Sequence, residues 1–311
     1  MAYYNANRVI KLTRKALGLT QEKLSEGICE VETYSRIENG HHTIRRSTYQ
    51  KLMEKMGRNT GRRYAICVSK DGMLLDEKIE LERAFKRYDY EAAEKYLNIL
   101  KEKVDDNLLT RQYMARAEAL VEYYRKRIGA EELIQRLDEA LKITVPEYER
   151  YLEENRVFPF SIMEILILVS MGNAYRHTAE WSKGILMYES VHRCLKMNYI
   201  GEPDNMSLQI IVGRNLARAY AESGNNIEAL AIIEEGIEMA LRFKYEYIIE
   251  SLYVGKAFNI IELVNEGTSI DEGIEEAYKC LRQAYYLAAA RGETEMMEHI
   301  KQFYNDCNNN N

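Results

Sequence analysis

Apolar residues recur at helical spacing from the start of the chain. Val9, Ile10, Leu12, Ala16 and Leu17 share one face of a segment from about Ala6 to Leu17, the pattern of an amphipathic helix. Gly18 follows where a helix C-terminus favours a residue without a side chain. Thr20 is placed to cap a second helix, with Gln21 and Glu22 in its first turn, where the macrodipole favours negative charge. Leu24 and Ile28 face inward on it, and Gly27 sits near its end. The spacing predicts a third helix from about Glu30 to Asn39 burying Tyr34 and Ile37, closed by Gly40. A fourth starts near Ser47 and carries Tyr49, Leu52, Met53 and Met56. Residues 1–57 thus form one small helical domain. The next stretch, 58–76, reads as a linker. Gly57 to Arg63 is polar, basic and punctuated by glycine. Tyr64–Val68 is β-prone and Lys70-Asp71-Gly72 signals a turn before Met73-Leu74-Leu75, so a short strand, a hairpin or an extended strap is expected there.

From Asp76 onward helical periodicity is nearly continuous, and a landmark recurs. Leu216-Ala217 precedes Tyr220, Gly224 and Ala229; Met171-Gly172 precedes Tyr175, Ala179 and Gly184, with the two aromatics 45 residues apart. Gly255 and Phe258 open a third copy with a longer turn, its second helix starting near Asp271. Leu81–Phe85 with Tyr88-Asp89-Tyr90-Glu91-Ala92-Ala93 is a compact earlier copy. Pro146, Pro159 and Pro203 stand at the breaks between helices, where proline does least harm. A helical-pair array over 77–306 follows, with the polar run at 307–311 expected to fray as a disordered tail.

Composition narrows the function. At 311 residues and 46% apolar the chain buries a real core, which excludes global disorder. The longest apolar stretch, about Phe158 to Met171, is interrupted by Glu164 and is too short to span a bilayer. No basic-then-apolar leader is visible at Met1–Asn5. Five scattered cysteines point to reduced thiols and a cytoplasmic protein. Charge is unevenly placed: residues 1–64 hold 13 Lys and Arg against 6 Asp and Glu, so a head at +7 sits on a remainder at −13 within a total of −6. A basic head on an acidic body is expected where only the head meets a polyanion.

The run Leu19-Thr20-Gln21-Glu22-Lys23-Leu24-Ser25-Glu26-Gly27-Ile28-Cys29, followed by Ser35-Arg36-Ile37-Glu38-Asn39-Gly40, resembles the repressor-type (XRE-like) helix-turn-helix. The resemblance covers roughly residues 5–57. It implies a third helix in the DNA major groove and a second helix starting against the phosphates. Carried over by position, Gln21 contacts a phosphate or the groove edge, Lys23 belongs to the DNA-binding set, and Val31, Glu32, Thr33, Ser35 and Arg36 face the bases. Asn39 and the loop His41-His42-Thr43 lie near the backbone, and Arg14, Arg45 and Arg46 neutralise phosphates. Arg36 is the one long donor fork on the third helix, suited to a guanine contact worth about 1–3 kcal/mol of discrimination. Glu30 and Glu32 depart from the pattern. They are benign at a helix N-terminus, accept from a cytosine amino group, or signal weak or assisted DNA binding.

The body's landmarks resemble the tetratricopeptide repeat (TPR), in degenerate form with lengthened helices and loops. The chain is therefore expected to be all-α: a repressor-type helix-turn-helix bundle followed by a TPR-like right-handed α-superhelix. The inward stripe of each first helix lies two, five, six and nine residues before the landmark aromatic and one after it. That selects Asn173, Ser170, Val169, Leu166 and Arg176 around Tyr175. Around Tyr220 it selects Arg218, Asn215, Arg214, Ile211 and Ala221, and around Phe258 Lys256, Tyr253, Leu252, Ile249 and Asn259. Long acidic residues are absent from all three. Asn amides suit an extended peptide backbone, and Arg and Lys suit a carboxylate. The 24 tyrosines against 6 phenylalanines offer amphipathic contact area at small entropic cost. A short linear peptide is the expected occupant.

Head and body together resemble the Gram-positive peptide-pheromone receptors grouped as Rgg, Rap, NprR, PlcR and PrgX. The resemblance implies a homodimer on paired DNA half-sites whose DNA binding changes when an imported signalling peptide fills the groove, as in quorum sensing. Enzymatic, metal and cofactor readings find no support: His41, His42, 177, 192 and 299 are not at ligand spacing, and no phosphate loop or nucleophile motif is present. The alternative is an interaction protein whose repeats sequester a partner protein while the head docks or dimerises.

Overall fold

The computed structural model describes residues 4–58, 75–104, 106–244, 248–268 and 273–309. Among them the regular elements are helices, and Tyr4 forms an antiparallel bridge with Ile200. The strand or hairpin expected at Tyr64–Val68 and Lys70–Gly72 lies outside the described residues. The chain divides into two compact units, Met1–Asn205 and Met206–Asn311. The break falls inside the repeat array, not at the linker, so the head is packed with the first helical pairs.

The head is built as the apolar pattern predicts. Helix α1 (Ala6–Ala16) starts at Asn5, whose side chain accepts from Arg8 N, and α2 (Gln21–Ser25) starts at Thr20, which accepts from Lys23 N at 3.2 Å. Helices α3 (Val31–Glu38) and α4 (Arg46–Lys55) complete it. Ile10, Leu24, Tyr34, Leu52 and Met53 are fully enclosed. Glu30 occupies the N-cap position of α3 and makes no side-chain capping bond, so the missing hydroxyl leaves an orphan amide.

Contacts of four side chains, Arg58, Arg8, Arg156 and Tyr4, fasten the head within this unit. The Arg58 guanidinium bonds Glu147 and the Tyr151 hydroxyl and lies 4.9 Å over the Phe158 ring. Arg8 donates to the carbonyls of Met197 and Asn198, and Arg156 donates to that of Ala16. Tyr4 accepts from Ile162 N, beside Tyr199.

The rest of this unit is α5 (Leu75–Lys86) with α6 (Tyr90–Lys103), α7 (Leu108–Tyr124) with α8 (Ala130–Lys142), the short α9 (Tyr148–Glu153), and α10 (Ile162–His177) with α11 (Trp181–Leu195). Glu164, which interrupts the apolar stretch, closes a capping box with Ser161 and also accepts from Thr144. Gly172 lies against the Tyr188 ring: a Cβ there would stand 2.6 Å from a ring carbon.

The second unit holds α12 (Asp204–Glu222) with α13 (Asn226–Arg242), α14 (Ile249–Asn265) with α15 (Gly273–Arg291), and α16 (Thr294–Asn309). Helix α16 runs on into the asparagine-rich end that was expected to fray. Ala229, Ile233 and Leu252 centre one core; Ala277, Cys280 and Ala284 centre the next.

The first helices end alike. Backbone N–H groups of Asp89, Arg127, Glu180, Asn225 and Thr268 reach back to the carbonyls of Ala84, Glu122, Tyr175, Tyr220 and Leu263. Each time the residue before the donor has positive φ: Tyr88, Lys126, Ala179, Gly224 and Gly267. This is the Schellman closure. It corrects two sequence readings. The pair α7–α8 is a full copy that carried no recognised landmark. In α14 the carbonyl that closes the helix belongs to Leu263, not Phe258, and Phe258 is 40% exposed.

Candidate nucleic-acid interface and ligand-facing stripes

A buried polar knot sets which head side chains are free. Glu38 is 4% exposed. Its carboxylate accepts from Arg14 Nε and Nη2 at 2.6 and 3.0 Å, from Gln21 Nε2 at 2.7 Å and from the Tyr34 hydroxyl at 2.5 Å. Arg14 also donates to the Leu19 carbonyl. Burial pushes the Glu38 carboxyl up, but its three donors, Arg14 first among them, hold it net below its ordinary value; burial and then Glu38 raise the Tyr34 phenol. Two expectations are thereby corrected. Arg14 does not stand ready for a phosphate, because its fork is spent on Glu38, and the Gln21 amide turns inward onto the same carboxylate.

The outward face of α3 is different. Glu32, Thr33, Arg36 and Asn39 are exposed, Val31 and Ser35 half-buried, and the loop His41-His42-Thr43 is exposed after them. Asn39 accepts from Lys11 at 3.2 Å. Arg36, Arg45 and Arg46 are exposed and meet no acceptor among the described residues, and Lys23 is exposed on α2. Arg45 is the N-cap of α4 and Arg46 its first residue, with no acid in the first turn. Cations at the positive end of a helix dipole are unfavourable. An approaching anion removes that penalty, so this end of α4 favours a phosphate.

The body stripes are mixed. In the first unit Asn173 accepts from the Tyr188 hydroxyl at 2.6 Å, the Ser170 hydroxyl donates to the Leu166 carbonyl, and Arg176 is half-buried. In the second, Arg214 is exposed beside a half-buried Asn215, Arg218 pairs with Glu222 at 2.9 Å, and Tyr253 is half-buried. Two expected ligand contacts are corrected. Lys256 lies between Glu234 at 3.1 Å and Glu276 at 3.4 Å, so its charge is already met; burial lowers its pKa, but these partners raise it further. Asn259 is 2% exposed and donates to the Gly255 carbonyl.

Sequence reading also missed residues of α7. Counting back six from Glu122, as Arg214 is six before Tyr220, gives Arg116, and one beyond Glu122 is Tyr123. The available signal was a lone arginine in the apolar run Tyr113-Met114-Ala115-Arg116-Ala117.

No described group of His, Cys, Asp or Glu is arranged to hold a metal ion, and no described helix is long and apolar enough to cross a membrane. Among described residues, burial pushes the thiols of Cys194 and Cys280 up to about 12 and about 11, so both are protonated at neutral pH.

Comparison with known proteins agrees with this anatomy. A helix-turn-helix family model (HTH_3) matches residues 10–61. No curated protein matches. Among solved structures, the chain is similar to Bacillus thuringiensis PlcR in complex with the peptide PapR7 and DNA. That likeness has 21% identity and a TM-score of 0.56, and covers 96% of this chain and 99% of that one. For apo PlcR the values are 19%, 0.59, 94% and 98%. For ComR from S. thermophilus in complex with DNA and its signalling peptide ComS they are 14%, 0.52, 97% and 99%. At these identities the likeness is one of fold. The chain is an all-helical protein with an N-terminal helix-turn-helix and TPR-like pairs.

Proposed function

We propose that this protein is a transcription regulator that reads paired DNA half-sites as a homodimer and is controlled by a short linear signalling peptide held by its TPR-like helices. The observation that carries the DNA part is the set of exposed arginines without an acceptor among the described residues, Arg36 on α3 with Arg45 and Arg46 at the start of α4. The peptide part is supported by the shared fold with PlcR and ComR, each solved with a peptide and DNA. The polar residues left accessible on the body, Arg176 in one unit and Arg214, Asn215 and Arg218 in the other, bear the groups that bind carboxylates and peptide amides.

Arg36 reads a base edge, and Arg45 and Arg46 fix register on the backbone. Two heads meet half-sites about 34 Å apart or a multiple of it. Control requires that the peptide bind two arrangements of the protein unequally. The test is fluorescence anisotropy of labelled duplex against salt, with and without a short-peptide extract of spent medium. Affinity that falls steeply with salt and changes with the extract supports the reading. Salt-insensitive or absent DNA binding refutes it and favours the sequestration of a partner protein.

A further inference from the structure

A polar cleft of about 630 Å³ lies where the head meets the repeats, with all its lining residues in the first unit. Arg8 and Lys11 of α1 and Asn39 at the end of α3 form one wall. The turn Lys196-Met197-Asn198, which follows α11, forms the other. Both walls are held in place. Asn5 N donates to the Tyr199 carbonyl at 2.8 Å, Arg8 Nη1 donates to the carbonyls of Met197 and Asn198, and Asn198 Oδ1 accepts from the fully enclosed Asn205.

The lining is rich in donors and short of acceptors. Arg8 Nε and Nη2 make no bond among the described residues, and neither Arg8 nor Lys11 meets a carboxylate there. Lys11 Nζ donates to Asn39 Oδ1 at 3.2 Å. An ammonium offers donors alone, so the amide oxygen of Asn39 faces it and the Asn39 NH2 is left to donate elsewhere. Lys196 is exposed on the opposite rim. The acid in the lining, Glu38, is already taken by Arg14, Gln21 and Tyr34. Elsewhere on the repeats, cations such as Arg127, Lys142 and Lys256 are met by carboxylates. Cations gathered around a polar hollow favour an anion, and Arg, Lys and Asn donors together suit phosphate oxygens.

The cleft is continuous with the face proposed to meet DNA. Asn39 closes α3, whose exposed side carries Arg36, and the His41-His42 loop that follows is tied to α1 by Asn7, which donates to the His42 carbonyl. We infer that the cleft seats a phosphate of the DNA backbone between Lys11 and Lys196, so that the turn after α11 extends the duplex contact from the head onto the repeats. The inference rests on the DNA-binding reading above and adds a contact outside the helix-turn-helix. A phosphate there accepts from Lys11 and the Asn39 amide on one side and from Lys196 on the other. It carries no sequence information and fixes the angle at which the repeats stand over the duplex.

The test is fluorescence anisotropy of the full-length protein on a labelled random-sequence duplex across a salt series. It compares wild type with Lys196→Gln and Lys11→Gln and with the charge-keeping Lys196→Arg and Lys11→Arg. Melting temperatures of each are taken in inorganic phosphate and in chloride at equal ionic strength. Each Gln variant should lose one phosphate contact per protomer and lower the slope of log affinity against log salt by about 0.9. The affinity lost between ~50 and ~200 mM salt should then be about 3.5-fold smaller per protomer than in wild type. The Arg variants should keep the wild-type slope, and melting should be the same in both salts. An unchanged slope in Lys196→Gln, beside a steep wild-type one, overturns the cleft contact and leaves the DNA reading standing. So does a slope that falls as far in Lys196→Arg as in Lys196→Gln, because charge is then not the cause. If phosphate raises the melting temperature of wild type but not of the Gln variants, and the slopes do not change, the site holds a free phosphate and the duplex assignment is overturned. Absent or salt-insensitive duplex binding by wild type overturns both readings.

Discussion

Two arginines of the head, Arg14 and Arg36, stand in similarly basic surroundings and do different work. Arg14 is enclosed by Glu38, and its loss strands a buried carboxylate. Arg14→Ala should cost about 3 kcal/mol of stability, measured by urea unfolding, and lose DNA binding only through unfolding. The Arg36 side chain is exposed and meets no acceptor among the described residues, so Arg36→Ala should leave stability within about 0.5 kcal/mol while relaxing base preference in a competition assay. Glu38 adds a pH dependence. Its folded carboxyl lies below its ordinary value, so its stabilisation is complete above the unfolded pKa of about 4.3 and is lost as pH falls through the folded one. Acid unfolding followed by circular dichroism should show this loss, and Glu38→Gln should flatten the curve across that window. Glu30 is the reverse case, a cap position with no capping bond. Glu30→Ser should stabilise α3 by about 1 kcal/mol and remove a negative charge from its N-terminal end.

At the scale of helices, legibility tracked locality. Helices α1, α3 and α4 were readable to within a residue or so, because caps and apolar period are local signals; α2 stops at Ser25, short of Ile28. The exposure of Arg36, Arg45 and Arg46 was equally legible. The roles of Arg14 and Gln21 were not, because Glu38 lies far along the chain and meets them only after folding. The α7–α8 pair escaped notice because its landmark position is Glu122 and an arginine stands in its stripe. The register of α14 was misjudged because its aromatic, Phe258, stands five residues before Leu263, whose carbonyl closes the helix. The turns that do repeat make a prediction. Gly224 and Ala179 occupy the same left-handed position, at φ 82° and 59°. Gly224→Ala should therefore cost about 1 kcal/mol, close to what Ala179 already bears. Gly172→Ala should cost about 1–3 kcal/mol, because the Tyr188 ring it strikes is held by Asn173. Differential scanning calorimetry of both variants measures these costs.

At the scale of the whole molecule, a ligand on the repeats influences the head only if the two do not move independently. Within the first unit the head is held by Arg58 between Glu147, Tyr151 and Phe158, by Arg8 on the carbonyls of Met197 and Asn198, and by Arg156 on that of Ala16. Arg58 is the most enclosed of these, with its side chain 8% exposed. Its contacts join the end of α4 to the α9 region, so head and first repeats should unfold together. Arg58→Ala removes the ion pair, the tyrosine bond and the ring contact in one step. The expected outcome is an early calorimetric transition for the head, separated from that of the repeats, because cooperativity between structural units depends on such contacts. Arg36, Arg45 and Arg46, proposed to meet DNA, are untouched by the change, so duplex affinity below that transition should match wild type. A single undivided transition in Arg58→Ala would mean that the Arg8 and Arg156 contacts suffice, and that the latch at Glu147 is not what binds the reader to the repeats.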